Sequence, residues 1–155
     1  MQSFDRDLLI ILHDVARTLR TRFDQKARLT HAMTRAQWLI LSRLERQPGM
    51  SQNEMAAICE VEPITVARLI DRLEARGLVE RRADPTDRRI KRLHLLPAAK
   101  PILETINEAR ESMNTRITAG LDERTRNTLI DALLVLKENL ANEALTGVKL
   151  AAAGE

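Results

Sequence analysis

Between positions 79 and 92 the chain carries Arg81, Arg82, Arg88, Arg89, Lys91 and Arg92 against only Glu80, Asp84 and Asp87. Cations at that density suit a phosphate backbone, with an affinity that falls as salt releases the condensed counterions. Immediately upstream, residues 63–76 have a helical period, and a wheel of about 100° per residue puts Val66, Leu69, Ile70 and Leu73 on one side. The opposite side receives Ile64, Ala67, Arg68 and Asp71, with Thr65 and Arg72 at its flank. A hydroxyl, a guanidinium and small apolar groups in the first turn match a base edge, a guanine or phosphate, and a thymine methyl. Pro63, Ile64, Thr65, Ala67, Arg68 and Arg72 are therefore candidate DNA contacts. Arg88 and Arg89, at or just past a turn, are candidates for the minor groove. Asp87 would repel phosphates, so it should be satisfied internally by holding a neighbouring arginine in place.

Other chemistries find little support. His13, His31 and His94 fall in separate elements without ligand spacing, no Gly-rich phosphate loop is present, and Ser42 and Ser51 lack a nucleophile context. No enzyme, metal site or cofactor is expected. Cys59 is the single cysteine. It cannot form an internal disulfide, and with Glu60 and Glu62 beside it and no cation in sequence reach it reads as a small buried hydrophobe. The early apolar run Leu8–Leu12 is short and flanked by Asp5, Asp7, His13 and Asp14, which fits neither a signal peptide nor a membrane span. A reducing bacterial cytoplasm is the expected location. The formal charge of +3 is modest, so the clustering of the basic residues carries the argument. With no Tyr, two Phe and one Trp, the chain offers few stacking platforms for RNA.

The elements that must position these residues can be read from caps and periods. Leu8, Leu12, Val15, Leu19 and Phe23 form a helical stripe within residues 5–28. Thr34 and Gln37 make a capping box for a second helix that ends before Pro48-Gly49, and Ser51 with Glu54 make another for a short third helix. Pro63 opens the fourth helix and Gly77 stops it. Residues 78–82 and 90–95 are short and β-compatible, and with the turn-forming Asp84-Pro-Thr-Asp87 between them they read as a hairpin. Pro97 then opens a long helix reaching Gly120, and Asp122 caps a last one whose stripe is Leu129, Leu133, Leu136 and Leu140, fraying after Thr146. Two short helices and a hairpin in this order make a winged helix-turn-helix. The expected fold is mainly α with a small β-hairpin: one domain over 1–155, a DNA-binding head at 34–95, and a helical dimerisation region at 1–30 and 97–146.

The run from Glu62 to Arg82 followed by Asp84-Pro-Thr-Asp-Arg-Arg89 resembles the signature of MarR-family transcriptional regulators, and Asp87-Arg-Arg-Ile-Lys-Arg92 is most similar to the SlyA branch. Trp38 matches a tryptophan that often opens the second helix, and the helix order agrees from about residue 8 to 142. The resemblance implies that Thr65 and Arg68 contact DNA and that Arg88 enters the minor groove. It also implies intertwined terminal helices in a homodimer. Leu96 stands where the family usually has a capping threonine and Ala99 where it often has glycine, which leaves the start of the fifth helix open.

A dimer also follows from size, because two half-sites of a palindromic duplex supply specificity that one head rarely reaches. The terminal helices carry more apolar surface than one small head can cover. The family resemblance implies release from DNA by a small aromatic or acidic effector, an aromatic carboxylate or its thioester, and repression as the usual outcome. His13, Arg17 and Arg20 on the first helix and Trp38 on the second are the candidate ligand residues, the arginines for a carboxylate and the indole for a ring. For Trp38 a core role fixing two helices is equally compatible, and for the other three a solvated face. The competing function is a non-catalytic winged-helix dimer that binds protein partners rather than DNA, which predicts weak, salt-insensitive DNA binding.

Overall fold

Helix α1 spans Leu8–His31, and Asp7 caps it by accepting the amides of Leu9 and Ile10. It runs three residues past its expected end, because Ala32 takes the left-handed conformation (φ 50°) and its N–H closes the last turn. The computed structural model describes residues 6–152, with side chains through residue 143. Both capping boxes form as expected. Thr34 Oγ1 accepts Gln37 N at 3.2 Å while Gln37 Oε1 accepts Thr34 N at 2.9 Å, opening α2 (Arg35–Arg46). Ser51 and Glu54 reciprocate at 3.2 and 2.7 Å at the start of α3 (Gln52–Cys59).

Helix α4 (Pro63–Ala75) starts with proline in its first turn, where no amide is needed, and ends as Gly77 adopts φ 67°. Its inner face is the one the period indicates: Val66, Leu69, Ile70 and Leu73 are buried. They join Ile40, Leu41 and Leu44 of α2 and Met55 of α3 in one core. Burying each such side chain contributes about 1.5–3 kcal/mol. That core fixes the orientation of α4 and so sets which side chains it can present.

The hairpin strands follow, β2 (Val79–Ala83) and β3 (Lys91–Leu95), in register from Val79 opposite Leu95 to Ala83 opposite Lys91. The sheet has a third strand that periodicity did not reveal, β1 (Met50–Ser51), which pairs antiparallel with β3. Gly49 N–H also donates to Leu93 O at 2.9 Å. The hairpin is thereby tied to the residues that lead into α3. Leu96 offers no capping side chain, and the chain passes through a 3-10 turn (Pro97–Ala99) before α5 (Lys100–Ile117) begins. The departure at Leu96 thus delays the regular helix by three residues.

The chain divides into two compact units, one through Arg110 and one from Glu111 onward. The first holds the core just described, to which α5 contributes Ile102, Leu103 and Ile106. In the second, Asp122 accepts Thr125 N at 2.8 Å and caps α6 (Glu123–Ala152). This helix continues beyond Thr146, where fraying was expected; alanine and leucine near its end favour continuation. Leu129, Ile130, Leu133, Leu134, Val135 and Leu140 of α6 are all exposed.

Candidate nucleic-acid interface and effector cavity

The outward face of α4 is built as the wheel predicts. Pro63, Ile64, Thr65, Arg68 and Arg72 are exposed, and Ala67 is half-buried. Ile64 shows 61% of its surface and is available for apolar contact with a thymine methyl. Arg68 and Arg72 have no carboxylate partner among the described residues, so both stand ready for acceptors.

The wing is more heavily braced than its charge count suggests. Arg81 is a pivot rather than a free cation: Nη1 pairs with Glu74 Oε2, Nη2 pairs with Asp71 Oδ1 at 2.8 Å and donates to Ala67 O at 3.0 Å, and Nε donates to Gln52 Oε1. One guanidinium thus joins β2 to both α3 and α4. Arg82 pairs with Glu80. Arg92 Nε donates to Asp84 Oδ2 at 2.7 Å, and its Nη1 reaches Gly49 O at 3.4 Å and Glu54 Oε2 at 3.5 Å. Arg81, Arg82 and Arg92, read from the sequence as contributors to counterion release, are thus already paired with carboxylates within the head.

Asp84 organises the turn. It is buried, with 8% exposure, and its Oδ1 accepts Thr86 N at 2.8 Å, Thr86 Oγ1 at 2.6 Å and Asp87 N at 3.1 Å. The Thr86 hydroxyl above all, and then Arg92, hold its carboxyl far below the usual carboxylate range. Asp87 grips Arg89 in a fork, accepting Nε and Nη2 at 3.0 Å each, which is the internal role expected of it. That bond lowers the Asp87 pKa and raises that of Arg89. Arg88 and Lys91 are exposed and form no ion pair among the described residues. The two tip arginines therefore differ, Arg88 projecting freely and Arg89 held by its neighbour. A cleft of about 200 Å³ lies between the start of α3 and the wing, lined in part by Asn53, Arg89, Ile90 and Lys91. Sequence reasoning did not single out Asn53 or Gln52.

A second concavity lies in the first unit, about 260 Å³ in volume. Its apolar wall is Leu19 and Phe23 of α1, Trp38 and Leu39 of α2, and Ile106 of α5. Arg20, Arg35, Arg43, Arg46 and Arg110 also border it. Of the four residues proposed for a ligand, Arg20 and Trp38 meet here. His13 and Arg17 do not: both are exposed on α1 away from the lining, and Arg17 pairs with Asp14 at 3.4 Å. Arg17 follows His13 by one turn, so the two share a helix face. The missed arginines of α2 had a signal, since Arg35, Leu39, Ser42 and Arg46 recur at steps of three and four on one helix face.

Trp38 is 3% exposed and belongs to the core as well as to the cavity lining. Its Nε1 is buried and makes no hydrogen bond among the described residues. Cys59 is buried, which pushes its thiol pKa up; Arg35 and Arg43 pull the other way but do not prevail. The sequence reading that no cation comes near this thiol is corrected, while its buried position stands. Among the described residues no cluster of His, Cys, Asp or Glu could hold a metal, and no helix is long and apolar enough to cross a membrane.

A short helix, a tight turn and an outward-facing second helix, flanked by a cationic hairpin on a three-stranded sheet, define a winged helix-turn-helix DNA-binding protein. Comparison with known proteins agrees. A MarR family model matches residues 33–91. A protein of Thauera aromatica assigned to transcriptional regulation of the hcr operon is 30% identical over 112 residues, 72% of this chain and 68% of its own. The chain belongs to the MarR family of transcriptional regulators. The structure of the transcriptional regulator SlyA is similar over 88% of this chain and 96% of its own, with 28% identity and a TM-score of 0.76. A MarR-family regulator from Listeria monocytogenes, solved with a 26mer DNA, matches over 89% and 91% with 26% identity and a TM-score of 0.78. These relatives do not favour the reading as a binder of protein partners, and the members of this family are regulators rather than enzymes.

Proposed function

We propose that the protein is a repressor that binds a palindromic operator as a homodimer in the bacterial cytoplasm and leaves the DNA when a small acidic, ring-bearing effector binds. The observation that carries this reading is the division of labour in the head. Arg81 fastens the wing to α3 and α4, while Arg68, Arg72 and Arg88 remain without carboxylate partners beside it. Thr65, Arg68 and the first-turn apolar groups Pro63, Ile64 and Ala67 would read the major groove. Arg72 would position the helix on phosphates, and Arg88, with Arg89 behind it, would enter the minor groove.

The second copy is supported by the exposed apolar side chains of α1 and α6, Leu8, Leu9, Ile11 and Val15 on one and Leu129 to Leu140 on the other. The Listeria complex with DNA supports the duplex as ligand. For the effector, Trp38 offers a face to a ring, and Arg20, whose pair with Glu60 at 3.5 Å is long and exposed, offers a guanidinium that a ligand carboxylate can recruit. A ligand that favours one spacing of the two reader helices shifts the dimer between binding and non-binding states. The test is selection from a random pool of duplexes with the full-length protein. Enrichment of a two-fold symmetric sequence is expected, bound by a species of twice the monomer mass. Recovery of an asymmetric sequence, or of none, contradicts the reading.

A further inference from the structure

Residues 62–76 carry three acids, Glu62, Asp71 and Glu74, and two of them serve the wing. Asp71 and Glu74 both pair with the Arg81 guanidinium. Glu62 is exposed, and its side chain makes no ion pair or hydrogen bond among the described residues. An unpaired carboxylate at the leading end of a helix that approaches phosphates is repelled by them. It needs a compensating donor.

Capping does not supply one. Glu62 is the N-cap of α4, but Pro63 has no N–H to satisfy, and the Glu62 carbonyl accepts Thr65 N at 2.9 Å and Val66 N at 3.2 Å. The helix is started by backbone, and glutamate is not among the side chains that cap well. Nor is the residue loosely held. Glu60 ends α3 in the left-handed conformation (φ 55°), Val61 N donates to Ala56 O at 3.2 Å, and Val61 packs against the core. The turn between α3 and α4 therefore fixes the Glu62 backbone and leaves its side chain free. Cα–Cβ bonds tilt toward the N-terminus of a helix, so its first side chains reach past its end. On a recognition helix those are the side chains that meet base edges in the major groove. Guanine N7 and O6 and thymine O4 are acceptors there and repel a carboxylate, whereas the cytosine N4 amino group is a donor to Glu or Asp. Adenine N6 donates too, but its N7 acceptor lies beside it.

We infer that Glu62 is a specificity-determining residue whose carboxylate accepts from the N4 amino group of one cytosine in each half-site. The inference rests on α4 being the reader helix, and it adds an acceptor to the donors Thr65 and Arg68. Glu62 selects by exclusion as well as by attraction, since a guanine or thymine at that position leaves the carboxylate facing acceptors.

Selection from a random pool of duplexes with the full-length protein, Glu62→Ala and Glu62→Gln tests this. The parent should recover cytosine at one position of each half-site, and exchanging that base pair in the selected duplex should weaken binding roughly tenfold. Glu62→Ala should recover any base there and bind the exchanged duplex as well as the selected one. It should also bind an unrelated duplex more tightly than the parent does, because a charge that repels phosphates is gone. Glu62→Gln should move the recovered base to adenine, whose N6 and N7 match the acceptor and donor of an amide. Parental sequence preference in both variants overturns the inference. An equal loss of affinity for every duplex overturns it too, since that is what a carboxylate serving only the helix dipole would produce. Half-sites without a preferred cytosine in the parent remove the role of Glu62 and leave α4 as the reader. No recovered sequence at all removes the reader helix itself, and the inference with it.

Discussion

The wing and the α1–α2 cavity are both rich in arginine, but they differ in where the opposing charges lie. In the wing, Arg81, Arg82, Arg89 and Arg92 are each matched by carboxylates within the head. Around the cavity, Arg35, Arg43, Arg46 and Arg110 have no such match among the described residues. A guanidinium that already grips a carboxylate fixes geometry, whereas one without a partner keeps its charge available for a ligand. Counting basic residues along the chain blurs this distinction, and the pairing pattern restores it.

Removing the pivot should have the largest effect. Arg81→Ala strips Glu74 and Asp71 of their shared partner and leaves Gln52 and the Ala67 carbonyl without their donor. It should cost about 2–3 kcal/mol of stability, read from denaturant unfolding, because charged hydrogen bonds are lost in a partly buried setting. Operator binding should weaken with it. A variant as stable as the parent would show that the network is ornamental.

Arg68→Ala and Arg88→Ala address the unpaired side of the comparison. Each should weaken operator binding by about 1–2 kcal/mol while stability and dimerisation are unchanged. Fluorescence anisotropy on a selected duplex measures the first quantity and sedimentation the second. Wild-type affinity in both variants would remove these residues from the interface.

A smaller, pH-dependent effect belongs to Asp84. Its folded pKa is depressed below the unfolded value, so the folded state binds fewer protons in the window between the two. The stabilisation is complete above the ordinary carboxylate pKa and is lost as pH falls toward the depressed one. The stability difference between the parent and Asp84→Asn should therefore be flat from pH 8 to about pH 5 and shrink below that. A difference that instead grows on acidification would contradict the role assigned to Asp84. The smallest effect is expected from His13→Ala and Arg17→Ala, which lie outside the cavity lining and should leave effector-driven release unchanged. Altered release in either would return that face of α1 to the effector site.

The reader helix was legible because its signals are local. Pro63 and Gly77 bound it, and the burial of Val66, Leu69, Ile70 and Leu73 follows the helical period. The two capping boxes were legible for the same reason. Strand β1 was not, since two residues have no period and Met50–Ser51 becomes a strand only through pairing with β3. The division between paired and unpaired arginines was equally hidden. Arg81 reaches Gln52 from 29 positions away and Arg92 reaches Gly49 from 43, contacts that depend on how the sheet and helices pack. The cavity was half-seen: Trp38 and Arg20 were noticed for their chemistry and line it, whereas His13 and Arg17 do not, because which residues of α1 face α2 is decided by tertiary packing.

The central claim is that unpaired cations bind the duplex while paired ones hold the wing, and the salt dependence of binding tests it most directly. With the affinity for a selected duplex measured across a salt series, Arg88→Ala should reduce the slope of log affinity against log salt by about one, because a guanidinium in the minor groove neutralises phosphate charge and displaces counterions as a direct phosphate contact does. Arg82→Ala, which removes an arginine already paired with Glu80, should leave that slope nearly unchanged. An equal fall in both variants, or none in Arg88→Ala, would contradict the account.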